Sequence, residues 1–88
     1  MQEIFGIASF RSRQQVMKFD SALRRAGIRT QVITTPRDVS VGCGLSVRFE
    51  LSDHERVMDI YRQLHPSNLI GFYQVIRENG ARTITRAL

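Results

Sequence analysis

The chain has 88 residues, 42% of them hydrophobic, and a formal net charge of +5 from thirteen basic against eight acidic residues. This apolar content suits a folded globular domain and argues against disorder, and a chain this short makes one domain that buries about 60–65% of its unfolded surface. One cysteine excludes an internal disulfide and a cysteine-based zinc cluster, and no apolar run approaches the roughly 18–20 residues of a membrane span. The start, Met1-Gln2-Glu3, lacks the basic residues of a secretory signal, so a cytoplasmic location and no membrane partner are expected. Every basic residue except Lys18 is an arginine, whose planar fork suits phosphate or carboxylate. Two readings of that charge stay open: an anionic partner, or guanidinium groups scattered over solvent, with Arg11/Arg13 and Arg24/Arg25 the densest spots.

In chain order, Glu3 to Phe10 reads as a largely buried strand. Ser12 opens a helix, and Gln15 three residues later completes a capping box. Val16, Phe19, Leu23 and Ala26 form its apolar face, and Gly27 ends it. Residues 28–34 alternate, with Ile28, Thr30 and Val32 opposite Arg29, Gln31 and Ile33, as in a strand. After the interruption at 36–44, residues 45–51 alternate again, Leu45, Val47, Phe49 and Leu51 inward and Ser46, Arg48 and Glu50 outward. Ser52 and Glu55 suggest a second capping box, Val57, Ile60, Tyr61 and Leu64 an apolar helix face, and Pro66 a stop. Leu69 to Arg77 makes a fourth strand. Asn79-Gly80 is a hairpin signal, so Ala81 to Arg86 either returns as a short fifth strand or frays as a tail.

The order strand, helix, strand, strand, helix, strand, with right-handed crossovers, predicts an α+β, ferredoxin-like βαββαβ sandwich: a four-stranded antiparallel sheet with both helices on one face. Residues 1–88 form a single domain in this reading, with a core over about 3–77 and a C-terminal hairpin extension over 78–88.

Cys43 lies between Gly42 and Gly44, in the least regular stretch of the chain. Glycines on both sides give the backbone freedom and leave the sulfur uncovered by neighbouring side chains. The predicted topology puts this loop at one sheet edge with the helix start at Ser12 and the second helix's end near His65. A helix N-terminus, a nest of backbone N–H groups and the cations Arg37, Arg11 and Arg13 would favour thiolate there. The competing reading makes Cys43 a small residue fitted to a tight turn. Arg37 taken alone reads as a loop ion pair with Asp38 or a solvated side chain, His54 as a helix-start surface residue and His65 as a helix cap. Asp53, Glu55 and Asp59 near a helix start suit the dipole. Cys43, His54 and His65 have no recognised ligand spacing, so no metal is expected, and no nucleophile–base–orienter set assembles, so an enzyme is not expected.

The run Thr35-Pro36-Arg37-Asp38-Val39-Ser40, followed by Cys43-Gly44-Leu45-Ser46-Val47-Arg48-Phe49, resembles the signature of the small bacterial selenium/sulfur carrier-like proteins. That signature is a Thr-Pro-Arg-Glu loop, then Cys-Gly, then an apolar strand containing arginine. A Phe10-x-Ser12 helix start and a Gly27-Ile28 strand start are similar too, and the resemblance covers roughly residues 3–77. It implies a carrier that holds sulfur or selenium on Cys43 as a persulfide or selenosulfide. Gly44 would be its motif partner, Thr35, Pro36 and Arg37 would shape the loop, and Ser12 would stand at the helix start. The implied partners are donor and acceptor proteins, with no cofactor beyond the carried atom. Asp38 replaces the usual glutamate, Gly42 stands where serine is usual, and the hairpin after Gly80 exceeds the family core.

Two other functions stay in view. An RNA-binding sheet is disfavoured because Ser46, Arg48 and Glu50 make a poor stacking platform. A regulatory or small-ligand module that forms a homodimer through the open sheet face is compatible with the carrier.

Overall fold

Five strands and two helices run in the order β1 (Gln2–Phe10), α1 (Arg13–Arg25), β2 (Thr30–Thr34), β3 (Leu45–Phe49), α2 (His54–Leu64), β4 (Leu69–Glu78) and β5 (Ala81–Arg86) in a computed structural model that describes residues 2–37, 39 and 44–86. The sheet order is β2-β3-β1-β4-β5, every neighbouring pair antiparallel. This is the expected ferredoxin-like arrangement with the hairpin strand added outside β4. Asn79 and Gly80 both take positive φ, 51° and 83°, as a two-residue hairpin turn requires, and so β5 forms.

β1 is central and buried on both faces from Phe5 to Phe10. On one face Ala8, Phe10, Val47, Phe49 and Phe72 pack against Val16, Phe19 and Leu23 of α1 and Val57 and Met58 of α2. Each fully buried large side chain contributes about 1.5–3 kcal/mol. Gly6 lets the Phe49 ring lie flat on β1, because a Cβ there would sit 2.5 Å from Phe49 Cε2. On the other face Phe5, Ile7 and Val75 gather Ile33, Tyr73, Ile84 and Val39. Val39 follows β2 in the chain and packs against this cluster, on the sheet face opposite the helices.

Local signals set most boundaries. The Ser12 hydroxyl accepts the Gln15 N–H at 3.4 Å and starts α1, while Gly27 at φ 82° ends it. His65 caps α2 in the left-handed conformation at φ 47° and donates its N–H to Tyr61 C=O at 2.9 Å.

The start of α2 departs from expectation. A 3-10 turn over Leu51–Asp53, closed by Asp53 N–H to Glu50 C=O at 2.9 Å, precedes it. Ser52 therefore lies inside a turn, Asp53 takes the N-cap position without a side-chain cap bond, and the Ser52–Glu55 capping box does not form. The turn also removes Leu51 from β3. Met58, absent from the expected apolar face, is buried, whereas Leu64 is 50% exposed and Ala26 of α1 is exposed too. The sheet covers the α2 stripe at Val57 and Met58, and the last turn leaves Ala26 and Leu64 in the seam between the helices.

Candidate functional site

The site is built where β1, β2 and β3 end together. Thr34 pairs with Leu45 and Phe10 with Leu45 and Leu69. One step beyond, the Thr35 N–H donates to Gly44 C=O at 3.0 Å, so the chain leaves β2 and returns to β3 through one bonded gate. A Cβ on Gly44 would lie 3.2 Å from Thr35 Oγ1 and 3.4 Å from the Phe10 carbonyl oxygen. Only a residue without a side chain fits this convergence easily. Pro36 is buried beside the gate, and Val39 N–H donates to Pro36 C=O at 3.0 Å, turning the chain toward the sheet.

The same sheet end holds the helix start and the end of α2. The Arg11 N–H donates to Asn68 C=O at 2.8 Å, which ties the residue before Ser12 to the segment after His65. Thr35, Pro36 and Gly44 are thus brought together, with Phe10 to Ser12 alongside. Arg11, Arg13 and Arg37 are exposed, and the Ser12 hydroxyl is taken by its helix-capping bond. Gly42, Cys43 and Asp38 lie outside the described residues, and so do the expected thiolate environment and the Arg37–Asp38 pair.

Beneath the gate runs a row of hydroxyls that the sequence reading missed. Ser9 Oγ lies 2.7 Å from Ser46 Oγ, and Ser46 Oγ lies 2.8 Å from Thr35 Oγ1. Ser9 and Ser46 are fully buried and Thr35 is 4% exposed. This corrects the expectation that Ser46 faces outward to solvent. Alternation placed it on the face away from the helices, and that face is closed here. The signal was present in Ser9, a hydroxyl inside an otherwise apolar strand.

Farther along that face, Arg48 and Arg77 both lie over the Phe5 ring, 3.8 and 5.6 Å from its centroid. Glu3 holds both, at 2.9 Å from Arg48 Nη2 and 3.5 Å from Arg77 Nη1. The hydrogen bond and charge of Arg48, with Arg77 adding, keep the Glu3 carboxyl below its ordinary 4.5. In the window between that lowered value and 4.5 the unfolded chain binds more protons than the folded one, so stability rises with pH there. The Glu3 contribution is present above pH 4.5 and is lost as pH falls through the folded value. Urea unfolding of Glu3→Gln across this window is expected to show a shallower acid dependence than the parent, and the effect is small because the pair is exposed.

Elsewhere His54 opens α2 with its ring stacked on Phe49, centroids 6.4 Å apart. Asp53 and Asp59 pair with Arg56 and Arg62. Among the described residues, no group of three His, Cys, Asp or Glu side chains is placed to hold a metal ion, and no helix is long and apolar enough to cross a membrane.

Fold and site together define an α+β sheet-and-helix domain whose β2–β3 loop is gated by Thr35 and Gly44 and carries the chain's one cysteine. The sequence model of the family described as "Putative Se/S carrier protein-like" matches residues 5–69. The chain belongs to this family. The match takes in the loop and both helices and stops at the first residue of β4, so the β4–β5 hairpin lies beyond it. No curated protein and no solved structure matches the chain.

Proposed function

We propose that the protein carries sulfur or selenium on Cys43 and hands it to a partner enzyme, without turning over a substrate of its own. The observation that carries this reading is the family match, which spans Cys43. The gate at Thr35 and Gly44 supports it, because the backbone bond between them holds together the two ends of the segment that contains Cys43. Phe5 is 2% exposed beneath two guanidinium groups, which weighs against a base-stacking RNA platform.

In the loading step the Cys43 thiolate attacks the outer sulfur of a donor persulfide, R–S–S–H. The donor's S–S bond breaks, a Cys43 Sγ–S bond forms, and R–S⁻ leaves. The proton stays on the transferred sulfur, so atoms and charge balance without an added oxidant. A selenium donor of the form R–S–Se–H follows the same path and leaves a selenosulfide. Delivery repeats the exchange, with an acceptor thiolate attacking the outer atom and Cys43 leaving as thiolate. The chain has no second cysteine, so no internal thiol can discharge the loaded form as a disulfide.

Intact mass of the reduced protein after treatment with a small-molecule persulfide tests this. One added sulfur atom is expected, removed by excess thiol and absent in Cys43→Ser. A parent protein that gains nothing would sink the carrier reading, and a parallel run with a selenopersulfide donor decides which element loads.

A further inference from the structure

The residues expected in the core but found exposed, Ala26 and Leu64, lead to a second surface. Between α1 and α2 lies an open groove of 740 Å³ walled by Met17 and Lys18 on one side and Leu64 to Ser67 on the other. A smaller groove of 340 Å³, lined by Ala26, Ile60 and Gln63, continues it and shares Ala22, Arg25 and Leu64. Together they follow α1 from Gln14 to Ala26, about 18 Å at 1.5 Å per residue. Met17 and Leu64 are 48% and 50% exposed, so the groove carries an apolar strip that the fold itself leaves uncovered.

Its charge is one-sided. Lys18 and Arg25 stand in the walls with His65 at one end, and neither groove is lined by an Asp or Glu. Arg24, Arg48, Arg56, Arg62 and Arg77 each pair with an acid, whereas none of the ion pairs among the described residues involves Lys18 or Arg25. An apolar strip about three helical turns long, flanked by unpaired cations, is complementary to an amphipathic helix with carboxylates beside its apolar face. We propose that the α1–α2 groove docks an acidic amphipathic helix of a partner protein. This does not depend on the chemistry at Cys43. The groove does open at the sheet end where the loop is rooted, because its wall at Pro66 and Ser67 runs into Asn68, which holds Arg11.

The probe is a synthetic three-turn peptide with leucines at helical spacing and glutamates elsewhere, titrated into the full chain and followed by backbone amide shifts. A lysine version of the same leucine pattern and a single-stranded RNA oligonucleotide are run beside it. Saturable binding is expected, with shifts concentrated at residues 14–26 and 60–67. Lys18→Glu/Arg25→Glu and, separately, Leu64→Gln should each weaken it at least roughly tenfold, and Arg29→Glu/Arg62→Glu, the same charge change outside the groove, should leave it within twofold. These exposed positions keep the fold, which circular dichroism of each variant checks. No saturation, shifts spread over other basic faces, equal loss in the control variant, or tighter binding of the RNA at this groove would each overturn the proposal.

Discussion

Phe19→Ala is expected to cost about 3–5 kcal/mol of folding stability, the range for removing a fully buried phenylalanine. Phe19 is fully buried and is the hub of the aromatic cluster. Its ring lies 5.5 Å from Phe10, and it meets Tyr61 and Phe72 edge-on at 6.3 and 6.4 Å. Those partners come from β1, α2 and β4, so one α1 side chain ties together three other elements. Alanine there loses the buried area and the edge-to-face contacts, and leaves a cavity between the strands β1 and β4 and the helix α2. Small domains hold about 5–15 kcal/mol in total, and for one of this size each kcal/mol moves the melting temperature by about 4–8 °C. A drop of more than ten degrees in a thermal melt is therefore expected. Leu64→Ala, at half-exposed Leu64, should cost far less, and equal losses at the two positions would mean that the core does not centre on this cluster.

The elements themselves were legible because each rests on a local cause. Ser12 caps its own helix, Gly27 can take the positive φ that ends it, and Asn79-Gly80 can make the turn that returns β5. The alternation of 28–34 and 45–49 likewise assigns side chains correctly to the two sheet faces. What alternation cannot tell is whether a face is covered. Ser46 was placed on the correct face and given the wrong environment, because its partners come from two distant pieces of chain: Ser9 on the neighbouring strand and Thr35 at the loop foot. The start of α2 was misread for a similar reason. Ser52-x-x-Glu55 has capping-box spacing, but the backbone closes a 3-10 turn onto Glu50 first, and geometry then moves the cap to Asp53. At the candidate site, Thr35, Pro36 and Gly44 could be named from the motif, and Gly44's reason for being glycine came only with the packing of Thr35 and Phe10 against it.

Ser46→Ala is expected to cost about 2–4 kcal/mol, although it removes one oxygen atom and almost no volume. The Ser46 hydroxyl is the middle of the row, bonded to Ser9 at 2.7 Å and to Thr35 at 2.8 Å. Deleting it leaves two buried hydroxyls each short of a partner, and a buried polar group so stranded costs about 1–3 kcal/mol. Ser9→Ala removes an end of the row and keeps the Ser46–Thr35 bond, so it should cost about half as much. The sign reverses for the complete replacement. Ser9→Ala/Ser46→Ala/Thr35→Val leaves no hydroxyl to satisfy, and replacing all partners by apolar groups of similar shape is close to neutral. The triple variant should therefore be more stable in urea than Ser46→Ala alone, a non-additivity that residues sharing one network show. If the three changes simply add, the hydroxyls contribute independently and the row is not a unit. If they couple as expected, the feet of the cysteine loop are held by two separable devices: the Thr35–Gly44 backbone bond, which every variant keeps, and a buried hydroxyl row joining that foot to the central strand.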